Sequence, residues 1–183
     1  LSINLEATVP TNANRVELNI GKERLNLIPG QYSPWTRIQF KAGTFKKVSC
    51  IARFLIISLS PEFKLYITPL NIDPAKPAMP VSHPAFYSIY LAKLQGHFAT
   101  LGLAEDTQAL EDGVIDNEAY LQQVYDIHSE RESMFFEMLK RTPRGICTCV
   151  FDASDRIQHM FMPPEHEVED AQRKQQYDQI LDD

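Results

Sequence analysis

The sequence predicts an α+β protein in which an antiparallel, β-rich N-terminal half is followed by an α/β portion. Three observations indicate this class. Apolar and polar residues alternate in short runs up to residue 72, which is the pattern of half-buried strands. A proline-rich segment follows, and beyond it apolar residues recur with the 3.6-residue period of a helix. The apolar run from Ile146 to Phe151 then has the composition of a strand buried on both faces of a parallel sheet.

The β-rich half is predicted to occupy residues 1–72. Its strand segments are Arg15–Ile20, Glu23–Ile28, Trp35–Phe40, Lys46–Leu59 and Phe63–Leu70. Turn residues separate them, and these are Gly21, Pro29-Gly30, Ala42-Gly43 and Ser60-Pro61. Because each connection is short, we expect most neighbouring strands to pair antiparallel.

A linker is predicted over residues 73–84. It contains Pro74, Pro77, Pro80 and Pro84. Proline lacks a backbone N–H, so this density excludes a regular hydrogen-bonded element. Residues 85–183 are then predicted to form a partial α/β subdomain.

Two helices are predicted after the linker. The first is capped by Ser82 or His83 and ends at Gly96. The second begins at Asp116 or Asn117 and carries an apolar stripe to about Lys140. The tail from Glu167 to Asp183 is polar and helix-prone.

The charge and the apolar content of the chain exclude some classes of function. A net charge of −6 and a pI near 5.4 argue against a nucleic-acid-binding surface. We interpret the one basic cluster, Lys41, Lys46 and Lys47, as the solvated rim of a hairpin and not as a phosphate-contacting patch. No apolar run approaches the roughly 20 residues of a membrane-spanning helix.

Cys50, Cys147 and Cys149 make an odd cysteine count, and we interpret them as small buried thiols. Unpaired thiols favour a reducing compartment such as the cytoplasm. The sequence begins with Leu1, so we expect a processed or internal segment, and the localisation stays open.

Chemistry-bearing residues gather where the predicted strand ends. Asp152, Ser154 and Asp155 follow Phe151, and in open α/β sheets functional groups lie beyond the carboxyl ends of the strands. If a helical turn starts near Ser154, Asp155 and His159 stand at i and i+4 and face the same point. Oxygen and nitrogen donors so placed suit zinc or a similar divalent ion. The alternative is that Asp155 caps the helix and His159 is an ordinary, partly buried side chain.

These residues also carry a family resemblance. The runs "VFDASDRIQHMF", "FKLYITPLNIDP", "HPAFYSIYLAKLQGHFATLGLAEDTQAL" and "SERESMFFEML" resemble the type I phosphodiesterase and nucleotide pyrophosphatase branch of the alkaline-phosphatase superfamily. In particular, the chain resembles bacterial phosphohydrolase-like members with a β-rich insertion in the catalytic domain. The resemblance extends from about residue 20 and is densest from Phe63 to Phe161.

The resemblance implies an alkaline-phosphatase-like fold that is incomplete in this chain, with residues 1–72 as the insertion. It implies a phosphohydrolase with two zinc ions that cleaves a phosphodiester or nucleotide-like small molecule. The family's Asp-x-x-x-His element corresponds to Asp155 and His159, which would bind one zinc. The nucleophile and the other ligands would lie outside this chain, so no catalytic residue is assigned within it and the isolated chain is expected to be inactive. The family usually continues with a Trp-Arg pair, where this chain has Met162-Pro163.

Other candidates are weaker. Thr107 is interpreted as a structural cap before a short helix and not as a nucleophile, and His166 as an exposed loop residue and not as a third ligand. His83, His97 and His128 are interpreted as helix-cap or packing residues. The rival function is a non-catalytic binding or interaction module on a related scaffold. Apolar surface left uncovered by absent family segments would favour a homodimer.

Overall fold

The computed structural model describes residues 3–9, 15–42 and 46–162. The chain divides into two compact units, Leu1–Ala119 and Tyr120–Asp183. The strands are β1 (Leu5–Thr8), β2 (Val16–Ile20), β3 (Glu23–Leu27), β4 (Thr36–Ala42), β5 (Lys46–Ala52), β6 (Phe54–Ser58), β7 (Lys64–Ile67) and β8 (Asn71–Ile72). The helices are α1 (Tyr87–Gln95), α2 (Thr107–Glu111), α3 (Asn117–Arg141) and α4 (Ala153–Phe161). The predicted α+β class with antiparallel sheets is confirmed at this level.

The first sheet has the order β1-β2-β3, and both pairings are antiparallel. Ile20 pairs with Glu23, so Gly21 and Lys22 form a two-residue hairpin loop. Gly21 has φ +59°, the positive value that a type II′ turn needs at its first position and that glycine adopts at little cost. The predicted turn at Gly21 therefore fixes the register of this hairpin.

The other strands form a sheet of order β4-β5-β8 and a separate β6-β7 hairpin. The predicted single strand from Lys46 to Leu59 is wrong, because it breaks at Arg53 into β5 and β6. The Arg53 N–H donates to the Thr68 hydroxyl, 2.9 Å away, and the Arg53 carbonyl accepts from the Thr68 N–H. Its Nε donates to the Ser33 carbonyl, 2.9 Å away. These bonds divert Arg53 from the β5 ladder, and the chain enters a second sheet.

The core of this unit follows the alternation of the strands. Val16, Leu18 and Ile20 are buried at every second position of β2, and they join a cluster with Phe54 and Ile56 of β6. Each such side chain contributes roughly 1.5–3 kcal/mol by leaving water. Hydrophobic burial therefore explains why short strands with little other support are held together.

Residues 73–84 form neither helix nor strand, as their prolines predict. The Ser82 hydroxyl accepts the Ser88 N–H at 2.9 Å, and Gly96 with φ +91° follows the last residue of α1. The predicted end at Gly96 is confirmed, but the predicted cap at Ser82 or His83 is wrong, because the helix begins only at Tyr87, after Phe86, and has no side-chain cap. The cap of α2 is Asp106, whose carboxylate accepts from the Ala109 N–H, so the prediction that Thr107 is the cap is wrong.

In the second unit, α4 packs on α3. The rings of Tyr120 and Phe161 lie 6.0 Å apart, and Arg131 of α3 forms an ion pair with Asp152 at the start of α4. The two helices therefore run in opposite directions. The predicted start of the long helix is confirmed, since the Asp116 carboxylate accepts from the Ala119 N–H at 2.8 Å.

The predicted buried strand from Ile146 to Phe151 is wrong. The run has no regular secondary structure, and Ile146 and Val150 are 90% and 79% exposed. Phe151 packs at the end of the run, with its ring 5.4 Å from the ring of His128 and 5.7 Å from that of Phe135. A strand requires hydrogen-bonded neighbours, and the described residues of this unit contain no other strand.

The three cysteines are free thiols. Cys50 and Cys147 are half-buried, but Cys149 is exposed, so the interpretation of all three as buried residues is wrong for Cys149. Burial and the nearby Asp73 carboxylate both raise the pKa of the Cys50 thiol.

Candidate metal-binding site

Helix α4 separates an apolar face from a polar one. At 100° per residue, Ile157 and Phe161 lie on the side opposite to Asp155 and His159. Ile157 and Phe161 are buried, whereas the side chains of Asp155 and His159 are 55% and 73% exposed. The helix starts after Asp152, so Asp155 is not its capping residue, and His159 is not partly buried. Both parts of the non-metal interpretation are therefore wrong, although an ordinary ion pair on a helix surface still accounts for the geometry.

The two predicted ligands lie close together. The distance from Asp155 Oδ1 to His159 Nε2 is 3.3 Å. Two donors bound to one tetrahedral zinc at about 2.0–2.1 Å are separated by roughly 3.3–3.4 Å, so the spacing of the pair matches that of two ligands of one ion. Its exposure leaves room for further ligands. The donor set and spacing thus fit half of a zinc site, and the role of these residues as ligands stays a prediction.

Arginines surround the neighbouring carboxylate. Asp152 forms an ion pair with Arg131, and its second oxygen lies 3.8 Å from an Arg156 nitrogen. Arg156 also reaches Asp155, at 3.9 Å. Two guanidinium groups therefore engage Asp152, whereas Arg156 is the one arginine or lysine near Asp155 in the part of the chain that the structure describes. Of the two carboxylates, Asp155 is the one available to a metal.

Further ligands are not found among the described residues, which contain no group of three or more His, Cys, Asp or Glu side chains placed to hold a metal ion. His166 lies outside the described residues. Thr107 is the first residue of α2, and its N–H donates to the Glu105 carbonyl. Among the described residues, Asp155 and His159 thus stay a predicted ligand pair without a third candidate beside them.

A second polar cluster, which the sequence analysis missed, surrounds Asp73 in the first unit. Asp73 is fully buried and accepts hydrogen bonds from Arg37 Nε at 2.5 Å, the Ser49 hydroxyl at 2.8 Å and the Ala75 N–H at 2.9 Å. His97 Nε2 lies 3.1 Å from an Arg37 nitrogen. His97 is therefore part of a polar network and not simply a cap or packing residue.

Burial of Asp73 opposes its ionisation, but the hydrogen bonds from Arg37, Ser49 and Ala75 and the Arg37 charge outweigh it and lower the pKa of the carboxyl. Ser49 donates to Asp73 and not to His97, so the cluster is not a nucleophile activated by a histidine base. Through its hydrogen bonds, the Asp73 carboxylate instead links β4, β5 and the segment after β8. Of the contacts in this cluster, the Asx turn from Asp73 to Ala75 is the local one that the sequence could have indicated.

No protein-family model, curated protein or solved structure matches this chain. No helix in the described residues is long and apolar enough to cross a membrane.

Proposed function

We propose that this chain is part of a metal-dependent phosphohydrolase, of the type I phosphodiesterase and nucleotide pyrophosphatase kind, and that it supplies two ligands of one metal ion. The observation that carries the proposal is the exposed pair on α4, with Asp155 Oδ1 and His159 Nε2 3.3 Å apart. Support also comes from the resemblance of the sequence around this pair to that family. The alkaline-phosphatase-like fold belongs to the same proposal.

In this proposal Asp155 binds through a carboxylate oxygen and His159 through Nε2 of its neutral imidazole. Arg156 lies close enough to restrain the Asp155 carboxylate through charge attraction, and Arg131 with Asp152 anchors the first turn of α4 to α3. The helix backbone thus fixes the two donors relative to each other before an ion binds. Bound zinc would stabilise charge on a phosphoryl oxygen and activate a hydroxyl or water.

The substrate class proposed is a phosphodiester, a pyrophosphate or a nucleotide-like small molecule. The nucleophile and remaining ligands are proposed to belong to segments outside this chain, so the chain alone should bind metal weakly and should not turn over substrate. The competing proposal, a non-catalytic binding module, predicts neither metal binding nor hydrolysis.

A direct test is a Co²⁺ titration of this chain followed by visible absorption, with Asp155→Asn and His159→Gln as variants. Loss of either donor should weaken binding at least about tenfold, which corresponds to about 1.4 kcal/mol. The matched controls are Glu118→Gln and His83→Gln, which remove an exposed carboxylate and an exposed imidazole elsewhere. Equal affinity in all five proteins would contradict the proposed ligand pair.

The activity test is hydrolysis of bis-p-nitrophenyl phosphate with added zinc, run on this chain and on a longer chain that contains it. We expect this chain to show no hydrolysis and the longer chain to hydrolyse the substrate. The longer chain should lose this activity with Asp155→Ala or His159→Ala. A longer chain that is inert on phosphodiester and pyrophosphate substrates, or that tolerates both substitutions, would refute the hydrolase and favour the binding module.

A further inference from the structure

A cavity of about 300 Å³ lies in the first unit, between the β2–β3 turn and the β4–β5 hairpin. Its lining is unusually basic for a chain with net charge −6. The lining residues are Ile3, Ile20, Gly21, Lys22, Glu23, Arg37, Gln39, Lys41 and Lys47. Four of them carry positive charge and one carries negative charge.

The alternation of side chains along the strands places most of these cations on one face of the sheet. Arg37, Gln39 and Lys41 occupy every second position of β4, so their side chains share one face, while Ile38 and Phe40 belong to the other face, which packs in the core. Lys47 of β5 is directly opposite Lys41 and therefore lies on the same face as Lys41. The Gly21–Lys22 turn brings a further lysine to the rim.

Arg37 is paired with Asp73, but the lysines on this face have no such partner among the described residues. Lys22, Lys41 and Lys47 form no ion pair with a described carboxylate. Like charges directly opposite each other in an antiparallel pair are destabilising, so the Lys41–Lys47 arrangement costs stability unless an anion binds between the two. Glu23 offsets part of the positive charge at the rim.

Arg37 adds a cation with a fixed orientation to this group of positive charges. Its Nε is bound to buried Asp73, and one terminal nitrogen contacts His97. The guanidinium is therefore held in one orientation at the wall of the cavity. The N–H groups of Arg37 that do not face Asp73 or His97 remain as donors for a phosphate oxygen.

We infer that this cavity, here called the basic cleft, binds a phosphate-type oxyanion carried by a small molecule. Lys22, Lys41 and Lys47 supply the charge, Arg37 supplies further donors, and half-buried Ile3 offers apolar contact to the rest of the ligand. The volume is at the lower end of the roughly 300–1,000 Å³ of small-molecule sites. The inference revises our interpretation of Lys41 and Lys47 as a merely solvated rim, and it does not depend on the proposed hydrolase function.

The test is calorimetric titration of the full chain, free of divalent metals, with methylenediphosphonate, which resists hydrolysis. The variant is Lys41→Gln/Lys47→Gln, and its matched control is Lys64→Gln/Lys93→Gln, which removes the same charge from exposed positions outside the cleft. Two charge-assisted contacts are lost only in the first, so its affinity should fall at least about tenfold while the control stays within about twofold. In the same series phenylphosphonate should bind more tightly than methylphosphonate, because its ring can contact the half-buried side chain of Ile3.

The Lys41→Gln/Lys47→Gln variant should keep or raise the melting temperature, because it removes a like-charge pair. If the variant instead unfolds, Lys22→Gln, which alters only a turn, provides the same comparison. No binding of methylenediphosphonate by the original chain at millimolar concentration, or equal losses in variant and control, would overturn the inference. If methylphosphonate bound more tightly than phenylphosphonate, the inferred apolar contact with the ligand would be refuted.

Discussion

Substitution of Asp73 by asparagine tests whether the buried network holds the first unit together. The change keeps the shape of the side chain but removes its charge and one of its two acceptor oxygens. Arg37, Ser49 and the Ala75 N–H then share a single oxygen, and the new amide donors face existing donors. At least one buried donor must lose its partner.

Loss of one member of a buried ion pair costs about 3–5 kcal/mol. The Arg37 side chain is 27% exposed, so water can partly solvate the orphaned guanidinium, and we expect the lower end of that range, about 3 kcal/mol. For a chain of this length each kcal/mol shifts the melting temperature by about 2–4 °C, so the expected decrease is about 6–12 °C.

The same substitution should alter the pH dependence of stability. The folded-state pKa of Asp73 is lowered relative to its unfolded value of about 3.9. Its ionised form therefore stabilises the protein above about pH 4, and this stabilisation is lost as the pH falls through the lower folded pKa. Since asparagine does not ionise, the difference in melting temperature between the two proteins should shrink from pH 6 towards pH 3.

The assay is thermal unfolding by circular dichroism across that pH range. Asp112→Asn is the control, because it makes the same chemical change at an exposed position and should shift stability by no more than about 0.5 kcal/mol. Arg37→Met, alone and combined with Asp73→Asn, completes a cycle in which the double variant should lose less than the sum of the two. A decrease at pH 6 no larger than that of Asp112→Asn, or additive losses in the cycle, would refute the reasoning.

Two other substitutions test the second unit. Phe161→Ala removes a side chain that is 1% exposed and in contact with Tyr120, so it should lower the free energy of unfolding in urea by about 3–5 kcal/mol. The control Met162→Ala, at an exposed position, should change that free energy little. Similar values for both variants would contradict the packing of α4 on α3. Val150→Ser should change stability by no more than about 0.5 kcal/mol, because Val150 is 79% exposed, and a loss of several kcal/mol would show that the apolar run is buried after all. The predicted homodimer stays a prediction, and sedimentation of the original chain checks it.

Local patterns were enough for several features. Alternation in β2 predicted which of its side chains are buried, and local signals predicted where α1 ends and where α3 begins. The closeness of Asp155 and His159 was also predictable, because an i,i+4 pair depends only on helix formation over a single turn. In each case the interacting groups lie within a few residues of each other along the chain.

Other features depended on partners that local patterns do not reveal. The apolar run from Ile146 to Phe151 has strand composition, yet a strand forms only when another strand supplies its hydrogen bonds. The break at Arg53 follows from bonds to Ser33 and Thr68, both distant in sequence.

The sequence by itself determined the β-rich half, the helices and the spacing of the proposed metal ligands, because backbone periodicity and capping act over a few residues. Only the tertiary structure decided the Asp73 network and the basic cleft. Asp73 meets Arg37 across 36 residues, and the cleft requires the β2–β3 turn to lie beside the β4–β5 hairpin. Such contacts form because distant strands bury their apolar faces together, and this packing sets which polar groups meet.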